Sequence, residues 1–116
     1  MIFKKLISLK YIMQIREFQQ LMKRLYFERD KNRGISKTFL WIVEEVGELA
    51  EALRKYQESD KNKNDIHNIA MEIADIVAWI ASLANILEID LEDALYSKYP
   101  SVCPKCGKNP CSCAFK

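Results

Sequence analysis

FLWIVEEVGELAEALRKY, residues 39 to 56, seats Glu44, Glu45, Glu48 and Glu51 in a run built otherwise almost entirely of apolar side chains. At about 100° per residue, Ile42, Val46, Leu49 and Leu53 form a narrow apolar stripe, widened by Val43 and Ala50, which predicts a helix over about 38–57. On the same wheel Glu45 lies about 40° from Leu49 and Glu48 about 60° further round. The two acids therefore stack as i, i+3 neighbours at the rim of the buried face, while Glu44 and Glu51 turn toward solvent.

A second helix, expected over about 66–88, repeats the arrangement. Ile66, Ile69, Ala70, Ile73, Val77, Ile80 and Ala84 make its stripe, with Glu72 and Asp75 as an i, i+3 acidic pair just off it. From Ile73 to Leu87 the sequence is apolar nearly all round, which implies burial on more than one side. A bare carboxylate at Asp75 would cost several kcal/mol there or stay protonated. Two antiparallel helices can bring the pairs face to face, and their repulsion then needs a cation. No Lys or Arg stands one turn from the inner acids: Lys55 is near Glu51, and Arg54 lies outside reach of the inner pair. All-oxygen ligands suit Mg²⁺ or Mn²⁺. A di-iron bundle would require Glu-x-x-His, and the single histidine, His67, does not supply it; it reads as a surface residue.

The remaining chain is organised around this pair. Ile15, Phe18, Met22 and Leu25 mark an earlier helix over 13–29; the polar segment 30–37 reads as a loop, with Ser36 or Thr38 capping the next helix. Residues 58–65 form another expected loop with Asp65 as N-cap, and Asp90 caps a short fourth helix ending near Pro100. With 116 residues, three Gly and three Pro, one all-α domain is expected over 13–100: a helical hairpin or bundle of about four helices, completed by oligomerisation. Residues 1–12 are an N-terminal extension, and 101–116 a Cys-rich tail. No signal peptide or membrane span is expected, because Lys10 interrupts the short apolar start; the protein reads as cytoplasmic. Net charge runs from +7 over 1–37 to −9 over 38–95 and +4 over 96–116. An acidic centre wants cations, and basic flanks suit a polyanion.

With these motifs in view the chain resembles the MazG-type nucleotide pyrophosphohydrolases, within the all-α nucleoside triphosphate pyrophosphatase superfamily. Glu44-Glu45-Val46-Gly47-Glu48 and Glu72-Ile73-Ala74-Asp75 carry the likeness, together with LEIDLEDAL downstream. The resemblance implies Mg²⁺-dependent hydrolysis of a nucleoside triphosphate between the α and β phosphates. Glu45, Glu48, Glu72 and Asp75 would be metal ligands, with Glu44 supporting the site or orienting water. It also implies Lys98 as a phosphate contact and a homodimer or homotetramer. Arg33, Lys37 and Lys55 are further phosphate candidates, each equally readable as solvated surface. Trp41 and Trp79 offer faces for a base and Asn85 a hydrogen bond; core or subunit packing is the alternative. Narrower substrates, dUTP, dCTP or phosphoribosyl-ATP, form a second reading. A non-enzymatic helical module with a zinc tail is the reading from another class, and nucleic acid is not an expected partner.

The tail carries Cys103-x-x-Cys106 and Cys111-x-Cys113. In a cytoplasmic protein such pairs point to metal before disulfides, and tetrahedral Zn²⁺ held by all four would be structural. Disulfides or a loose tail are the alternatives.

Overall fold

The computed structural model describes residues 13–59 and 63–114. The expected N-terminal extension, residues 1–12, lies outside them, as do 60–62 and 115–116. All regular structure among the described residues is helical: α1 (Ile15–Arg33), α2 (Ile35–Glu58), α3 (Lys63–Ile86) and α4 (Leu91–Lys98). Helix α3 is central, packing along both α2 and α1, while α4 lies against α1.

The segment 30–37, expected as a loop, is almost wholly helical. A single residue, Gly34, separates α1 from α2. Its φ of 85° and ψ of 174° fall in a region essentially closed to residues with a Cβ, so glycine makes the break possible. Neither Ser36 nor Thr38 caps α2. Thr38 lies inside the helix, fully buried, and donates its hydroxyl to the Gly34 carbonyl at 2.7 Å. Asp30 is also buried and is held by Arg33 at 2.8 Å. Polarity suggested a loop here because the partners of Asp30 and Thr38 are not apparent from composition. Asp65 sits in the first turn of α3 rather than at its cap, accepting from the Ser59 hydroxyl at 2.7 Å.

The other end follows the sequence more closely. Glu88 adopts a left-handed φ of 57°, and the Ile89 amide returns to the Ala84 carbonyl at 2.9 Å, closing α3 in Schellman fashion. Asp90 then caps α4 as expected, accepting from the Asp93 amide at 2.9 Å. Arg16 ties α1 to this turn through Asp90, Glu92 and Asp93 at 2.7–2.9 Å.

Burial departs from the expected stripes. Ile42 is buried and Leu49 half-buried, but Val46 is 50% exposed and Leu53 44%. On α3, Ile66, Ile73, Val77 and Ile80 also remain exposed, and the buried set is Ala81, Ser82, Ala84 and Asn85. The face of α2 turned inward is the line through Thr38, Ile42, Glu45, Leu49, Ala52 and Tyr56. Small or polar side chains thus occupy much of the helix contacts, and a large share of the apolar stripe is left outside. Helix α3 is also long and apolar enough, by length and composition, to cross a membrane, contrary to the sequence expectation. Within this fold, however, its Asn85 is hydrogen-bonded to Gln19 of α1.

Candidate active site

Helices α2 and α3 meet along a line that carries carboxylates. Glu45, Glu72 and Asp75 each place an oxygen within 4.8 Å of the others. Glu48, one turn beyond Glu45, adjoins the group and acts on the charges of both Glu45 and Glu72. Glu45 and Glu72 are half-buried, whereas Glu48 and Asp75 open to solvent. Glu44 is exposed and stands outside the convergent group. The i, i+3 spacing read from the sequence therefore supplies a real cluster, with Glu44 left aside.

Electrostatics leaves the cluster incomplete. Burial, followed by hydrogen bonding and repulsion from Glu48 and repulsion from Asp75, pushes the Glu45 carboxyl up to about 7, although the Trp79 indole acts in the opposite direction. Glu72 is also raised, by desolvation and by the charges of Glu48 and Asp75. Both residues have a buried oxygen, Oε2 in each case, without a hydrogen-bond partner. Buried carboxylate oxygens normally find donors; convergent ones without donors fit a hard divalent cation, which prefers oxygen ligands.

A linkage consequence can be measured without substrate. Glu45 titrates near 4.5 when unperturbed and at about 7 in the fold, so across that window the folded protein holds a proton that the unfolded chain releases. Stability of the metal-free protein is expected to fall as pH rises through this range. Added Mg²⁺ should restore it above the window, where the carboxylates are charged. Thermal unfolding in EDTA and in Mg²⁺ across the window tests this; a metal-free melting temperature that climbs steadily to pH 8 would contradict it.

Next to Asp75 opens a cavity of about 270 Å³, walled by Tyr26, Arg29 and Arg33 of α1 and by Asp75, Trp79 and Ser82 of α3. The Arg33 guanidinium lies 4.7 Å from the centre of the Trp79 ring and pairs with Asp30. Trp41 and Trp79 stack on each other, centroids 5.8 Å apart and planes 6° from parallel. The rings expected to offer faces to a base therefore give at least part of those faces to one another, which is the packing alternative.

Asn85 takes the packing alternative in the single chain. Its amide donates to the Gln19 carbonyl at 3.2 Å and accepts from the Gln19 side chain at 3.0 Å. Its polar groups are thus committed to fastening α3 to α1. Lys98 is exposed in the last turn of α4 and forms no ion pair among the described residues. Lys55 approaches Glu51 at 3.9 Å, His67 is exposed as expected, and Lys37 is exposed on α2. Arg29 and Asp30 were missed because a single sequence shows them only as polar residues at a helix end. Their one available signal was position: a cation and an acid within one turn of Arg33. At the C-terminus the sulfurs of Cys103, Cys106, Cys111 and Cys113 also converge within 4.8 Å.

Among the described residues an all-helical fold sets facing Glu and Asp side chains that could hold a metal ion beside an arginine-walled cavity. Its family is specific: the model of the MazG nucleotide pyrophosphohydrolase domain matches residues 33–107, and the chain belongs to that family. The family places it among the hydrolases, as a pyrophosphohydrolase, and its members generally use a divalent metal. No curated protein matches the chain.

Proposed function

We propose that the protein hydrolyses nucleoside triphosphates to the monophosphate and pyrophosphate, with Mg²⁺ or Mn²⁺ held by Glu45, Glu72 and Asp75 and completed by Glu48. The observation that carries this reading is the pair of partnerless buried oxygens on Glu45 and Glu72, within a carboxylate group that opens beside an arginine-walled cavity. When bound, a divalent cation neutralises phosphate oxygens and makes water a better nucleophile. The protein's own residues supply position and charge. Arg29, on the cavity wall without an ion pair among the described residues, is assigned to the phosphates in preference to Lys98. Arg33 is held in place by Asp30 and Trp79 and lends its charge to the same wall. Water attacks the α phosphorus, the bond to the bridging oxygen breaks, and pyrophosphate leaves. Glu44, exposed and outside the metal-binding group, is the carboxylate assigned to orient the water and accept its proton.

The test is pyrophosphate release from a panel of canonical and modified nucleoside triphosphates, dUTP, dCTP and phosphoribosyl-ATP, each with Mg²⁺ and with EDTA. Metal-dependent release is expected, and Arg29→Ala should weaken it chiefly through KM. A response to phosphoribosyl-ATP, dUTP or dCTP alone would select the narrower reading. No release from any compound would exclude both.

We also assign a homodimer or larger assembly. The apolar faces of α2 and α3 that carry Val43, Val46, Leu53, Ile73, Val77 and Ile80 are exposed in the single chain, and removing such area from water favours association at about 25 cal/mol per Å² before the costs of binding. Light scattering of the same active preparation would reject this if it gave a monomer.

A further inference from the structure

We propose that the four cysteines after α4 form a second, closed metal centre that binds one Zn²⁺ as a tetrathiolate, independently of the carboxylate site. The geometry is that of a ligand shell. Four sulfurs around zinc, each at about 2.3 Å in a tetrahedron, stand about 3.8 Å from one another. The Cys103 and Cys113 sulfurs are 3.8 Å apart, those of Cys106 and Cys111 4.0 Å, and all four lie within 4.8 Å. A disulfide would hold two of them at about 2.05 Å, and all four cysteines are free.

The backbone around the sulfurs is shaped to present them. Between Cys103 and Gly107 the chain makes a tight turn, with the Gly107 amide donating to the Cys103 carbonyl at 2.8 Å and Gly107 in a left-handed conformation, φ 70°. The Cys103 amide in turn donates to the Lys108 carbonyl at 3.0 Å. Amides also point at sulfur: Ser112 to Cys106 at 3.4 Å and Cys113 to Cys111 at 3.3 Å. Thiolate is the form that ligates. Binding releases the protons of the thiols still protonated. Zinc with four thiolates carries a net charge of −2, and Lys105 and Lys108, within the same loop, match it in number.

The tail has no helix or strand from 99 to 114. Thiolates are soft ligands that select zinc over the magnesium-type ions favoured by carboxylates, so the two centres sort metals by chemistry. With four protein ligands the zinc has no open position and its role is structural.

The experiment uses the full chain purified under reducing conditions, with wild type and a Cys106→Ser/Cys111→Ser variant compared. Elemental analysis should find one zinc per wild-type chain and lose it in the variant, while far-ultraviolet circular dichroism keeps the helical signal. Replacement by Co²⁺ should give the visible bands and thiolate charge transfer of a tetrahedral tetrathiolate. Trypsin should cut at Lys105 and Lys108 several-fold faster once the metal is lost. Stoichiometric iron in place of zinc would overturn the assignment in favour of an iron centre. A metal-free chain that fails to take up Zn²⁺ or Co²⁺, or disulfides detected by mass in that reduced preparation, would overturn the metal centre altogether.

Discussion

Glu72→Gln is expected to lower metal-dependent pyrophosphate release by about 10²- to 10³-fold or more while raising, not lowering, the melting temperature of the metal-free protein. Glu72 is half-exposed as a residue, yet its Oε2 is buried and lacks a donor, and its carboxyl is raised by desolvation and by Glu48 and Asp75. An amide keeps the shape and removes the repelling charge, so folding should gain what metal binding loses. The two readouts must be taken together. Lost release with a higher metal-free melting temperature supports the site. Lost release with a lower one would make Glu72 a packing residue, and unchanged release would remove it from the metal-binding group.

A second large effect is expected far from the carboxylates. The Gln19 amide donates to the Asn85 side chain at 3.0 Å and to the Ile89 carbonyl at 2.7 Å, and its oxygen accepts from the Leu91 amide at 2.8 Å. One buried side chain thereby joins α1 to the end of α3 and the start of α4. Gln19→Met preserves length but leaves three polar groups without their partner, a cost of about 2–4 kcal/mol. Equilibrium urea unfolding should show it, and Asn85→Leu should be strongly non-additive with it because both act on one network. A loss below about 0.5 kcal/mol would mean that water replaces Gln19 freely.

These two residues also mark what one sequence can convey. Glu45, Glu48, Glu72 and Asp75 were legible because charge at i, i+3 spacing beside apolar residues is a local pattern, and a helix converts it directly into position. Asn85 was legible only as a buried amide in need of a partner. That partner, Gln19, lies 66 residues away, and nothing in the pattern of either helix names the other. Asp30 was hidden for a similar reason: a polar run before a glycine reads as a loop unless the pairing with Arg33 that accompanies its burial is known. The apolar stripes of α2 and α3 were found correctly as apolar, but periodicity cannot say whether the surface covering them belongs to the same chain. It also could not show that much of the α2–α3 contact is made by the line carrying Thr38 and Glu45.

The carboxylates sit on a tertiary contact of short sequence separation. Helices α2 and α3 are consecutive and joined through residues 59–62, whereas the ties that fasten α1 to α3 and α4 close separations of 66 to 77 residues. Contacts of low sequence separation have less loop-closure entropy to overcome and tend to form sooner. The hairpin is therefore expected to gather its like charges before α1 and α4 dock to hold it. Protons or cations are needed while it folds as well as when it works, so the ions present during refolding act on the same side chains as the ions present during turnover.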